Sequence, residues 1–486
     1  MIAVLLILIP LISGLILFGL KNESNVKTFA LFASIATLVM SLLGLTLLKD
    51  KYSLDFNGAW LPMLNSRFHV ALDGMGQLLC LLTAISFPVI FIASSGSSYK
   101  NPNKFYALML LSQAGLMGVF LAMDALLFYF FWELALIPVY FLASIWGGER
   151  RIASTFKFFI YTFVGSLLML VGIIYVYFHA NQSFDIQSWY AMKLNPNTEE
   201  WLFWLFFIAF AIKMPIWPFH TWQPDAYEQS PPPVTMVMSG IMVKMGVFAV
   251  IRWLAPVLPD ATYQWGDTVS LLCLVGMVYA SLIAIQQNDI KRLVAYSSIA
   301  HMSLMCLAIF ASDKSGMQGA MLQMFNHGIN IIGLWIVADV IEKKYGTRKI
   351  SDLGGLAQKS PALAILLVII ALANIALPMT NAFVGEFMMF NGVFSSYATK
   401  YGIIDMAVAG VCIILAAVYT LNMIKKVFYG NSNALTAGGA DISFNVKLSL
   451  VIIVVLIFII GVYPKPMLQL TNDITDAILG RMRTKI

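Results

Sequence analysis

The sequence predicts an all-α, polytopic membrane protein with about 14 transmembrane helices and two inverted five-helix repeats that contain interrupted helices. Three observations predict this class. Of the 486 residues, 60% are hydrophobic and only 11% are charged, against about 25% charged in an ordinary soluble domain. The apolar residues gather into stretches of roughly 20, the length that crosses a hydrocarbon core. Basic residues crowd every second connection between those stretches, as expected of a chain oriented across a bilayer. A mean hydropathy of +0.83 excludes a soluble enzyme, a disordered scaffold and a nucleic-acid binder, despite the formal charge of +6.

Fourteen apolar stretches follow in order: 2–20, 28–48, 73–94, 105–123, 125–146, 157–179, 200–219, 233–255, 268–287, 293–311, 316–341, 361–390, 403–428 and 446–464. The first begins at residue 2 without a basic leader or a small-residue cleavage site, so it is expected to be a retained span. The organisation predicted is 1–104 for helices 1–3, then 105–255 and 268–428 for the two five-helix repeats, then 446–486 for helix 14 and a tail. Five is odd, so a tandem copy of such a block enters the membrane upside down. Connections after odd-numbered spans hold 17 basic residues and those after even-numbered spans hold 7, with Arg252 counted among the latter at a span end. The positive-inside rule then puts both termini outward, on the periplasmic side. The tail residues Lys465, Arg481, Arg483 and Lys485 dissent from this orientation. Cys80, Cys273, Cys306 and Cys412 lie in apolar stretches without C-x-x-C spacing. They predict core positions and no metal, disulfide or cofactor site on this chain.

Charges inside apolar stretches carry the functional reading. Lys213 sits in FFIAFAIKMPIW and Lys244 in SGIMVKMGVFAV, while Glu133 sits in FYFFWELALIPVYF and Glu386 in NAFVGEFMMF. Each such charge costs about 2.5–3.5 kcal/mol at a helix centre on insertion scales. His301 and His327 add two titratable groups at membrane depth. His69, His179 and His220 read as connection or span-end residues, Asp124 as the start of a span and Asp339 as near the end of one. One lysine–glutamate pair could simply hold helices together. Four charges and two histidines on separate spans instead make the carboxylate–lysine–histidine series that a proton path requires. Interrupted helices point the same way. Pro215 and Pro218 follow Lys213, HTWQPDAYEQSPPP reads as a connection, and the twelfth stretch carries Pro378 and Asn381 ahead of Glu386. Proline frees a backbone carbonyl, which membrane depth tolerates only where protein or water satisfies it.

On the runs FYFFWELALIPVYFLASIWGGERR, KMPIWPFHTWQPDAYEQSPP, NDIKRLVAYSSIAHMS and NAFVGEFMMF, the chain resembles the proton-pumping, antiporter-like subunits of respiratory complex I, subunit M or chain 4 of NADH–quinone oxidoreductase. The resemblance covers nearly the whole chain. It implies that Glu133 and Lys213 form the span-5 and span-7 pair, that Lys244 is the central span-8 lysine and that Glu386 is the span-12 glutamate ending the path. His301 and His327 fall where such subunits connect two half-channels. It implies no redox chemistry on this chain, with FMN, iron–sulfur clusters and quinone on partner subunits. The partners implied are other membrane subunits, including neighbouring antiporter-like ones, and the lipid of a bacterial inner membrane; no nucleic acid is involved. The chain departs from the family pattern where Gln223 stands for a leucine, Tyr227 for a histidine and Ser230-Pro231-Pro232 for Ala-Pro-Thr, in a segment expected at the cytoplasmic surface. Rival readings are a subunit of a multi-component sodium/proton antiporter or of a membrane-bound hydrogenase, a structural membrane anchor, and a freestanding transporter of an organic solute.

Overall fold

The computed structural model describes residues 1–47, 54–438 and 441–482. Lys49, Lys51, Arg483 and Lys485, counted above among the basic connection and tail residues, lie outside them. Each predicted stretch coincides with a helix or a helix pair. Span 1 is Ile2–Leu17, span 2 Glu23–Thr46, span 3 Gly74–Ala93, span 4 Pro102–Leu121, span 5 Ala125–Trp146 and span 6 Arg151–His179. Span 8 is Pro232–Leu254, span 9 Pro259–Gln286, span 10 Ile290–Phe310, span 11 Lys314–Tyr345, span 13 Gly402–Val427 and span 14 Phe444–Val462. Among the described residues, 11 helices are long and apolar enough to cross a membrane. The remaining stretches are span 1, at 16 residues, and two helices that are broken.

Span 7 runs as Pro196–Lys213 and resumes as Trp222–Gln229, so the predicted HTWQPDAYEQSPPP connection is partly helical. Gln223 and Tyr227 are wholly buried there, with the Tyr227 ring edge-on to Trp335 at 5.8 Å. The segment as a whole stays at one face of the bundle, where its Asp225 and Glu228 pair with basic residues, while Gln223 and Tyr227 turn inward. Span 12 breaks between Pro361–Asn374 and Asn381–Phe394, where Ala376 and Met379 adopt φ of 57° and 72°. Neither is glycine, so the turn is strained and must be held by its surroundings.

The helices at the centre meet through small residues. A Cβ on Gly328 of span 11 would lie 2.8 Å from the Gly240 carbonyl of span 8. A Cβ on Gly246 of span 8 would lie 2.7 Å from the Phe210 carbonyl beside the break in span 7. These approaches place span 8 against both neighbours. Spans 8, 10 and 11 are almost wholly enclosed, whereas spans 2, 13 and 14 turn most of their apolar side chains outward, as hydrocarbon contact permits.

Two ends of the bundle differ in chemistry. The connections after spans 5, 7, 9 and 11 converge on one face. There Glu228 takes Arg150 at 3.0 Å, Arg292 at 2.9 Å and Arg348 at 2.5 Å. Asp225 takes Lys157 at 2.8 Å and Arg292 at 3.1 Å, and Lys291 meets Glu342 at 2.5 Å. The other end carries features that sequence patterning did not predict. Strands β1 (Asp55–Leu61) and β2 (Ser66–Ala71) form an antiparallel hairpin. Asp124 accepts the Leu126 and Leu127 amides at the start of span 5, and also Ser66 Oγ and the Arg67 amide of β2. The tail is a helix, Lys465–Met482, docked by Lys314–Asp476 at 2.7 Å.

Arg252 is corrected as well. It is a side chain of span 8 itself, 2% exposed and ion-paired to Asp73, with its guanidinium 4.8 Å from the centre of the Phe248 ring. A sequence places it at a span end but does not show that its counterion lies at the start of span 3. Removing one partner of a buried ion pair costs about 3–5 kcal/mol. Arg252→Ala is therefore expected to lower the amount of folded protein in membranes several-fold and to reduce its unfolding temperature, whereas Arg151→Ala at the basic face should change neither.

His69 clamps the hairpin, with Nδ1 2.9 Å from Asp185 and Nε2 3.4 Å from Asp55. Burial opposes its charge, but the hydrogen bond to Asp185 and the Asp55 carboxylate outweigh it and hold the pKa above the ordinary 6.5. Such a group contributes stability in full below its unfolded pKa and loses that contribution as pH rises through the folded one. The unfolding temperature of the wild type should thus exceed that of His69→Phe most below about pH 6.5, with the gap closing at higher pH. A gap that is flat with pH would mean that His69 does not bear charge in this contact.

Candidate functional site

Span 8 is not a regular α-helix. Residues Met238–Met242 form a π-helical turn ahead of Lys244, and the Val243 amide reaches back to the Met238 carbonyl at 3.2 Å. The Ser239 carbonyl, which Val243 would occupy in a regular helix, instead accepts Lys244 Nζ at 2.6 Å. A π-turn of this kind commonly marks a functional position. Lys244 is wholly buried, and its second partner is His327 Nδ1 at 2.9 Å. An ammonium only donates, so a charged Lys244 fixes Nδ1 as an acceptor and leaves the ring proton on Nε2. That nitrogen faces Ser298 Oγ at 3.3 Å.

The series continues through span 10 to span 12. The rings of His327 and His301 lie 5.2 Å apart. His301 Nδ1 lies 3.3 Å from Glu386 Oε1, which also accepts Gln323 Nε2 at 3.2 Å. Beside this pair is a cavity of about 20 Å³, lined by residues that include His301, Glu386, Cys412 and Tyr419. That is room for a single water. The opposite edge of His301 approaches Asn374, which donates to Ser297 at 3.4 Å, as Tyr419 does at 3.1 Å.

Glu133 and Lys213 are placed differently. Lys213 is 1% exposed, ends the first half of span 7 and lies 5.3 Å from the centre of the Trp132 ring. A cation at a helix C-terminus is favoured by the helix dipole. Glu133 lies near enough to Lys213 for their charges to interact, yet neither Lys213 Nζ nor Glu133 Oε1 has a hydrogen-bond partner among the described residues. The structure thus brings Lys244, His327, His301 and Glu386 into one series and leaves the Glu133–Lys213 pair gapped. Both lysines flank the crossing of span 8 with the break in span 7.

Asn381 was singled out from the sequence, but Asn326, Asn330 and several serines at this axis were not. Asn330 and Asn381 exchange side-chain hydrogen bonds at 3.1 and 3.0 Å, and Asn326 donates to the Asn381 carbonyl at 2.7 Å. This cluster holds the start of the second half of span 12. The signal available was the pair of asparagines four residues apart in MFNHGINII, which put two amides on one helical face. Ser239, Ser297 and Ser298 gave no signal, because serines in membrane helices usually bond their own backbone. Among the described residues, no group of three or more His, Cys, Asp or Glu side chains could hold a metal ion.

A cavity of about 490 Å³ opens on the basic face, lined by Arg150, Glu228, Lys291, Glu342 and Arg348 among others. The family described as NADH:quinone oxidoreductase/Mrp antiporter, TM matches residues 122–415. The chain is 33% identical to NADH-quinone oxidoreductase subunit M of Rickettsia typhi, over 97% of each protein. It is also 33% identical to F(420)H(2) dehydrogenase subunit M of Methanosarcina mazei, over 99% of this chain and 98% of that one. Among solved structures, a chain of respiratory complex I from Thermus thermophilus superposes with a TM-score of 0.91 at 26% identity, covering 99% of this chain and all of that one. A chain of the Mrp complex from Dietzia shares the fold at a TM-score of 0.88 and 19% identity, over 98% and 97%. By sequence and by fold, this chain belongs to the NADH:quinone oxidoreductase/Mrp antiporter family of membrane subunits.

Proposed function

We propose that this chain is the proton-translocating subunit M of an NADH–quinone oxidoreductase in a bacterial inner membrane, assembled with other membrane subunits of a respiratory complex. The observation that carries this reading is the buried series from Lys244 through His327 and His301 to Glu386. His327 accepts a proton at Nδ1 from Lys244 and releases one from Nε2 towards Ser298 and His301, which passes it to Glu386. Glu133 sets the charge state of Lys213. Loss of a proton from Lys213, or a shift of Glu133, changes the field at Lys244 across the helix crossing and drives transfer along the series. FMN, iron–sulfur clusters and quinone belong to partner subunits, whose redox reaction supplies the energy. The basic face lies in the cytoplasm and both termini lie outside. The blocks 105–255 and 268–428 are inverted copies, each with its interrupted helix in fourth place.

Two substitutions test the roles. Glu133→Gln is expected to leave the complex assembled on a native gel while lowering NADH-driven quinone reduction and proton pumping together by roughly tenfold, a change of about 1.4 kcal/mol in the barrier. Normal turnover with a normal proton yield would sink the role given to Glu133. Lys244→Ala should lower both by a similar factor, because it removes the donor to His327. If instead it abolishes assembly while Lys244→Arg pumps normally, Lys244 is structural. The rival assignment, a subunit of a sodium/proton antiporter, predicts that this chain migrates in a native band without NADH-oxidising activity.

A further inference from the structure

Asp405 stands in the first turn of span 13, at the end of the bundle opposite the basic face, and is 5% exposed. Its carboxyl has no hydrogen bond or ion pair with any described residue. A second acidic residue, Asp267, lies near it on span 9. The carboxyl oxygens of Asp405 are not among the buried side-chain atoms left without a hydrogen-bond partner, as suits an acid that meets water at the outer end of the bundle. Asp405, Ala409, Cys412, Ala416 and Tyr419 follow one another along the buried face of span 13. The last three line the cavity beside His301 and Glu386. Seven residues of helix separate Asp405 from Cys412, about 10 Å. The facing helix, span 9, presents Asp267, Ser270, Cys273 and Met277 at helical spacing. Met277 lines the same cavity, and Ser270 Oγ is buried without a hydrogen-bond partner among the described residues.

We propose that Asp405 is the outward proton acceptor of this chain, reached from Glu386 along the seam between spans 9 and 13. The inference rests on the proton path proposed above. In this step the O–H bond of protonated Glu386 breaks and its proton passes to water in the cavity. Water hydrogen-bonded to Ser270 Oγ carries a proton along the seam, and an O–H bond forms on the Asp405 carboxylate. Asp405 then releases the proton past Asp267 to the outer solution. The seam is lined by the small side chains of Ala409, Cys412 and Cys273, which would let transient water pass in this step.

The test uses the assembled complex in sealed membrane vesicles, with NADH-driven proton pumping and quinone reduction as readouts and a native gel for assembly. Asp405→Asn is expected to lower pumping at least about threefold at an unchanged level of complex, and Asp405→Glu to restore most of it. Ser270→Ala removes an unsatisfied hydroxyl, so it should leave stability unchanged or raised and yet slow pumping about twofold; a purely structural role would not slow it. Normal pumping in Asp405→Asn, alongside impaired pumping in Glu386→Gln, would overturn this inference alone. Normal pumping in both would overturn the underlying path too. Should Asp405→Asn fail to assemble, Ser270→Ala decides, and unchanged pumping there overturns the relay.

Discussion

Everything at the centre of this molecule depends on one constraint: a polar group in hydrocarbon must find its partner within the protein. The breaks in spans 7 and 12 free backbone groups at membrane depth, and specific side chains answer them. Trp222 Nε1 donates to the Ile212 carbonyl at 3.0 Å, closing the end of the first half of span 7. At span 12, Asn326 donates to the Asn381 carbonyl while Asn330 and Asn381 bond through their side chains, fixing the start of its second half. The π-turn in span 8 adds a third case, in which the freed Ser239 carbonyl becomes a ligand for Lys244. Each irregularity that would weaken an ordinary helix here supplies a fixed site for a charge.

That logic explains why the close glycine contacts are at Gly240, Gly246 and Gly328. A lysine ammonium and an imidazole make a 2.9 Å contact only if their backbones cross at short range. Gly240 against Gly328 gives that range. Larger side chains at this crossing would push spans 8 and 11 apart and leave Lys244 with a single partner. The packing and the polar series are therefore one arrangement, built by backbone proximity first and side-chain hydrogen bonds second.

Much of this was legible in the sequence because charge in an apolar run is so costly. Glu133, Lys213, Lys244 and Glu386 stood out on that ground alone, as did the spans that hold them. Arg252 was misread for the complementary reason. It lies close to a span end, where a basic residue is cheap, and its partner Asp73 is 179 positions away. The β1–β2 hairpin was missed because strands of 7 and 6 residues carry too little periodicity to register beside long apolar helices. The π-turns leave no trace in composition. They arise from how span 8 packs between its neighbours, which a linear pattern does not encode.

The two halves of the axis differ physically, and the difference bears on coupling. From Lys244 to Glu386, donors and acceptors lie within 3.3 Å or in adjoining rings, so a proton can pass with little rearrangement. Between Glu133 and Lys213 no such contact exists, and Lys213 Nζ and Glu133 Oε1 have no hydrogen-bond partner among the described residues. A buried charge such as Lys213 responds strongly to any neighbouring charge, because the low dielectric screens it weakly. A gapped pair beside a connected series is the arrangement in which a change of field at one end is felt as a proton transfer at the other. Closing the gap with a permanent ion pair would stabilise the protein and remove its sensitivity.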